Sequence, residues 1–167
     1  GSMWKYLRLR PSNFPSIRIA QFATFLHQKG YRFSRIRESK SRPDRSFIRL
    51  VPSDYWKYHY DFSKPGGSGG TLGPTSVDSL LINAVVPLLE AYAQFSSQHE
   101  CRLRALMLLE QLPAERNSIL SYWKDNGFKL SSALDSQALL ELNNQYCDQK
   151  KCLRCEVAAS LLKRTEN

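Results

Sequence analysis

From Thr75 onward the chain repeats one pattern. Apolar residues recur at helical spacing, and the runs are separated by short polar connections, so this stretch can hardly fold as anything but packed helices. Leu80, Leu81, Ala84, Val85, Leu88, Leu89 and Tyr92 form a run apolar enough to predict a buried central helix, which Pro87 should kink. Ser97 with Glu100 matches a capping box for a helix through Leu103, Leu106, Met107 and Leu109 that stops near Pro113. Ala114 to Asn126 predicts another helix, with Ile119, Leu120 and Trp123 inward and Gly127 as its terminator. Asp135 to Tyr146 follows through Ala138, Leu139 and Leu142, and a last helix is expected to begin near Cys152.

The first third is more broken. Pro15 to Gly30 reads as a helix capped by Asn13, with Ile19, Phe22, Ala23 and Leu26 as its core face and Phe25 beside it. Shorter helical stretches are expected at 33–39 and 46–50. In Tyr55–Phe62, aromatic residues alternate with Lys57, His59 and Asp61, and that period of two predicts an extended segment. Gly66, Gly67, Gly69, Gly70 and Gly73 then make a flexible loop flanked by Pro65 and Pro74. The expected fold is therefore an all-α, multi-helix bundle with one short extended aromatic segment and a Gly-rich loop. Its expected parts are a basic N-terminal helical subdomain (3–64), the loop (65–74) and a helical bundle ending in a Cys-containing hairpin (75–167).

A chain of 167 residues can bury a real core without staples. No apolar run is expected to reach bilayer length and no signal-peptide pattern precedes the fold, which points to a soluble, cytoplasmic protein with no membrane partner. The net charge of +9 is unevenly spread: residues 1–64 carry +10 and residues 65–167 carry −1. Such a concentration fits an acidic partner surface better than general solubility.

Several uncommon motifs occur in order: Leu7-Arg-Leu-Arg-Pro-Ser-Asn-Phe-Pro15, Tyr55-Trp56 with His59-Tyr60, Leu72-Gly73 with Ser76-Val-Asp78, and Leu112-Pro-Ala-Glu-Arg-Asn-Ser118. They continue with Asp135-Ser-Gln-Ala-Leu139 and with Tyr146-Cys147 followed by Lys151-Cys-Leu-Arg-Cys155. Over essentially the whole chain this series resembles the C-terminal portion of an uncharacterised bacterial family known only as a domain of unknown function. The resemblance implies longer relatives whose N-terminal half is a nuclease-like α/β domain of the PD-(D/E)XK kind, carrying the catalytic Asp, Glu and Lys. No such motif occurs here, so the resemblance makes this chain the auxiliary part and the nuclease-like half its partner.

Two constellations carry chemistry. Cys147-x4-Cys152-x2-Cys155 places three soft ligands within nine residues, a set that suits zinc or an iron–sulfur cluster. A helix N-terminus and Lys150, Lys151 and Arg154 would lower the thiol pKa values. A fourth ligand is unassigned: Cys101, His27, His59 and His99 qualify only by type. The alternative is that the cysteines pack as small apolar side chains.

The second constellation is basic. Arg8, Arg10, Arg18, Arg32, Arg35, Arg37, Lys40, Arg42 and Arg45 could fork onto phosphates, with Trp56, Tyr58 and Tyr60 as stacking faces for nucleic acid. The aromatics equally suit a core, and the arginines equally suit docking onto another protein domain. The Gly-rich loop lacks the Lys-Ser/Thr ending of a nucleotide cradle, and His59 and Asp61 have no nucleophile to pair with. No catalytic constellation stands out.

Overall fold

Helical periodicity dominates the outcome. The computed structural model describes residues 14–27, 33–38, 48, 50–66 and 70–164; it is mostly α-helical, with a single small two-stranded sheet among those residues. The chain forms two compact units, 1–84 and 85–167.

In the first unit, α1 (Pro15–His27) opens with Pro15 in the first turn, where its missing N–H costs nothing, and Arg18 N donates to Phe14 O at 3.1 Å. The buried stripe of this helix is not the expected one. Phe14, Ile17, Ala20 and Gln21 are buried, whereas Ile19, Phe22 and Leu26 are 55%, 58% and 68% exposed. Both stripes have helical spacing, and what selects between them is a tertiary contact. Phe14 meets the Tyr60 ring edge-on at 5.4 Å, and the Ser16 hydroxyl donates to Tyr60 O. A six-residue helix, α2 (Phe33–Glu38), follows α1; of the expected 46–50 stretch only Ile48 and Leu50 are described, and both are buried.

The aromatic segment is also a correction. It folds as a short helix, α3 (Asp54–Tyr58), and only His59–Asp61 (β1) is extended. Contacts at helical spacing outweigh the alternation. Lys57 Nζ pairs with Asp54 at 2.5 Å, and Tyr55 stacks on His59 four residues away, with centroids 4.1 Å apart. Strand β1 pairs antiparallel with β2 (Lys64–Pro65) across a turn in which Ser63 takes φ 60°. Gly66 follows, and its N–H donates to Tyr58 O at 2.8 Å. A Cβ on Gly66 would stand 2.6 Å from the Tyr60 ring, so the close approach requires glycine. Residues 67–69 of the expected loop lie outside the described residues.

From Pro74 to Ser96 the chain is one helical run: α4 (Pro74–Leu80), a π-helical stretch (Leu81–Val85) and α5 (Val86–Ser96). The π-helical stretch ends just before Pro87, so the proline, which cannot donate to the helical ladder, falls in the first turn of α5. An 18-residue window of this run has a mean hydropathy of 1.3, so by length and composition alone it is long and apolar enough to cross a membrane, where no such segment was expected. Core helices pass the same test. Leu81, Ile82, Leu89 and Ala93 are buried, while Leu80 and Leu88, expected inside, are 40% and 51% exposed.

In the second unit α5 packs on α6 (His99–Gln111) as a helical hairpin. Ser97 is not the cap of α6, as its sequence context predicts. It takes the left-handed conformation (φ 54°) that terminates α5, and Gln98 is the residue preceding α6. Arg102 grips Glu90 across the hairpin through Nε at 2.9 Å and Nη2 at 2.6 Å. Leu89, Ala93, Cys101, Ala105, Leu108, Leu109, Leu112, Leu120 and Ala133 make the core.

Residues 114–117 do not join α7 (Ser118–Asp125), because Asn117 caps that helix by accepting from Leu120 N at 2.9 Å. Gly127, at φ +86°, ends it as expected. The connector before α7 is instead pinned to the start of α8 (Ala133–Leu142). Ala133 N donates to Leu112 O at 2.9 Å, and Glu115 N donates to the Ser136 hydroxyl at 2.9 Å. Ser136 is fully buried. Ser132 and Asp135 form a capping box, and the Asp135 carboxylate also accepts from Ser131 N and Oγ at 2.8 and 2.6 Å.

Two tests follow from this junction. Ser136→Ala leaves the Glu115 N–H unpaired in the interior, and urea unfolding is expected to show a loss of about 1–3 kcal/mol. Hydrogen bonds from Ser131 and Ser132 hold Asp135 below its ordinary pKa of 3.8. Its contribution is therefore complete above that value and lost as pH falls through the lower folded-state value. Asp135→Asn should be less stable than wild type at neutral pH, with the gap closing in acid melts below pH 3.8; a gap that stays constant with pH would refute the assignment.

Candidate functional site

Two places hold residues that the sequence singles out, Arg18 in the first and the three cysteines in the second. The first is a cleft of about 560 Å3 in the first unit, lined by Arg18, Gln21 and Phe22 of α1, by Leu50 and Leu72, and by Thr75, Ser76, Ser79 and Leu80 of α4. Its organising residue is Gln21, which is buried. The Gln21 amide donates to Gly70 O at 3.0 Å, and its Oε1 accepts from Arg18 Nη1 at 2.9 Å. One side chain thus fixes both the end of the Gly-rich loop and the direction of an arginine on the cleft wall. Phe22 is exposed beside it and stacks on Phe25 at 6.3 Å.

Of the other basic residues, Arg8, Arg10, Arg32, Lys40, Arg42 and Arg45 lie outside the described residues, as does the side chain of Arg35 on α2. Arg37 donates to Glu38 Oε1 at 2.5 Å. Trp56 is half-buried, met edge-on by Tyr55 and by Phe62, each at 5.3 Å. Both faces of the cleft's importance were invisible in the sequence. Gln21 carries no motif, and helical spacing places Phe22 in the core; the signal the sequence does hold is a glutamine lying on an otherwise apolar helical stripe.

The second place is the cysteine turn. After α8 a π-helical turn runs from Asn143 to Cys147, a 3-10 turn covers Cys152–Arg154, and α9 (Glu156–Arg164) begins one residue beyond Cys155. The last helix thus starts later than expected, so Cys152 lies in the 3-10 turn and Cys155 just before the helix, while Cys147 ends the π-helical turn. Lys151 N donates to Tyr146 O at 2.9 Å, Lys150 N to Cys147 O at 3.0 Å and Cys155 N to Cys152 O at 3.2 Å, with Lys150 left-handed at φ 53°.

All three thiols are free; Cys155 is buried, and Cys147 and Cys152 are exposed. Partial desolvation of its sulfur pushes the Cys147 thiol up, and the neighbouring Cys155 and Cys152 thiols and Asp148 push it further. The expected lowering by nearby cations is therefore reversed at this residue. Among the described residues no group of three or more His, Cys, Asp or Glu side chains is arranged to hold a metal ion. Of the candidate fourth ligands, Cys101 is buried at the start of α6 with its thiol 3.9 Å from Gln98 Oε1, His99 is exposed, and His27 and His59 belong to the first unit.

Gln21→Leu tests the cleft's design. Removing the amide leaves Gly70 O and Arg18 without this partner, and thermal melts are expected to register a loss of about 1–3 kcal/mol. Proteolysis within 66–73 should accelerate in the variant; an unchanged cleavage rate would mean that the loop end is held by something else.

No curated protein and no solved structure matches the chain. The family model described as "Protein of unknown function (DUF2851)" matches residues 1–118, more than half of the chain, and the chain belongs to that family.

Proposed function

We propose that this chain is an auxiliary helical-bundle domain of a nuclease-like bacterial protein and that its basic N-terminal third contacts single-stranded nucleic acid. The observation that carries this reading is the cleft itself. It is an apolar cavity with an exposed aromatic ring and a braced arginine on one wall, inside the part of the chain that holds all of the excess positive charge. Nucleic-acid grooves of this kind combine phosphate neutralisation with a ring on which a base can stack. Hydroxyls of Thr75, Ser76 and Ser79 line the same cleft and offer hydrogen bonds to a base edge.

A second reading is favoured by one observation. Ile19, Phe22 and Leu26 form an exposed apolar stripe on α1, which suits docking onto another protein domain, the nuclease-like half, rather than onto phosphates.

Fluorescence anisotropy with labelled single-stranded oligonucleotides across a salt series separates the two. Nucleic-acid contact predicts log affinity falling with log salt, with a slope of about 0.7 per neutralised phosphate. Phe22→Ala should weaken binding about tenfold or more through lost stacking, and Arg18→Ala should reduce the salt slope by about one contact. Absence of binding at low salt removes the nucleic-acid reading and leaves the docking one.

A further inference from the structure

The cleft offers a ligand one aromatic face. Phe25 stacks against Phe22, with centroids 6.3 Å apart and planes inclined by 21°, so Phe22 keeps one ring face for the cleft. The rest of the apolar lining, Leu50, Leu72 and Leu80, is aliphatic and supplies no second ring. A cavity of about 560 Å3 is of the size that encloses one small ligand. A groove that carries a strand by its bases instead sets successive aromatic side chains along its length.

The polar groups are placed for the same count. Arg18 and Phe22 stand four residues apart on α1, a spacing that brings their Cβ atoms to about 5–6 Å. One nucleotide spans that separation, with its base on the ring and its own phosphate at the guanidinium. Gln21, buried on the same helix, holds Arg18 through Oε1 at 2.9 Å, so the cation is oriented before a ligand arrives. Thr75, Ser76 and Ser79 line the α4 side, and hydroxyls that both donate and accept can satisfy the edge of any base.

We infer that the cleft admits a single base, drawn out of the stack of its neighbours, together with that nucleotide's own phosphate. This rests on the nucleic-acid reading above and narrows it: the ligand is one unpaired, unstacked nucleotide, and the flanking nucleotides stay outside the cleft. A duplex is disfavoured because a paired base must first be extruded, at a cost that is least for a base already single-stranded. Phe22 and Arg18 then act on the same nucleotide rather than as independent contacts along a strand.

Anisotropy of the full chain with labelled single strands of one length tests the count. The strands are an intact one, an abasic one that keeps every sugar and phosphate, and an abasic one bearing a single central base. The abasic strand should bind about tenfold more weakly than the intact one, because stacking is lost. Its slope of log affinity against log salt should be nearly unchanged, because the phosphates remain. One central base should recover most of the loss, and a second should add little. Phe22→Ala should abolish the difference between the strands, and Phe22→Tyr, which keeps a ring, should retain it. Phe22 is 58% exposed, so both variants are expected to keep the far-ultraviolet circular dichroism of the wild type. The inference is overturned, with the nucleic-acid reading intact, if intact and abasic strands bind alike, if each added base contributes equally, or if Phe22→Ala weakens both strands by the same factor. Failure of every strand to bind at low salt overturns both.

Discussion

The second unit depends on one buried hydroxyl. Ser136 accepts from Glu115 N and donates to Ser132 O at 3.2 Å, so a single side chain joins the connector after α6 to the first turn of α8. Around it Ala133 N meets Leu112 O, and Gln137 Nε2 reaches the Glu115 carboxylate at 2.5 Å. Buried backbone donors must be paired. In an extended connector that cannot pair its own groups, this junction supplies the partners and lets Leu112, Leu120 and Ala133 share one core.

The same junction shows what the sequence could and could not convey. Leu112–Ser118 and Asp135–Leu139 were each recognisable as motifs, but nothing in either says that they touch. Helix existence was legible because periodicity is local. Gly127 was legible because its left-handed backbone belongs to glycine. The misreadings arose where two local patterns competed and a distant partner decided. In α1, two stripes had helical spacing, and Tyr60 selected the one bearing Phe14 and Ile17. In Tyr55–Phe62 the alternation of aromatics was real, but the Tyr55–His59 stack and the Asp54–Lys57 pair turned the first half of the segment into a helix. Ser97 was an attractive cap by composition and became a helix terminator by backbone conformation.

The candidate sites divide along the same line. The cysteines announce themselves in sequence because thiols are rare and closely spaced here. The cleft does not, because its centre is a glutamine whose meaning lies in two partners, one three residues away and the other forty-nine. The basic charge is visible as a total, and at Arg18 that glutamine helps give it a direction. Composition thus locates the excess positive charge along the chain, and the fold places Arg18 of that stretch on the cleft wall.

The junction at Ser136 also bears on the order in which this protein acquires its structure. The α5–α6 clasp spans 12 residues, the Glu115–Ser136 link 21, and the cysteine turn fewer still. Closing such short loops costs little chain entropy, and chains whose contacts are mostly local fold quickly. The C-terminal unit can therefore condense from neighbouring pieces as they leave the ribosome, each step waiting on residues that have only just been made.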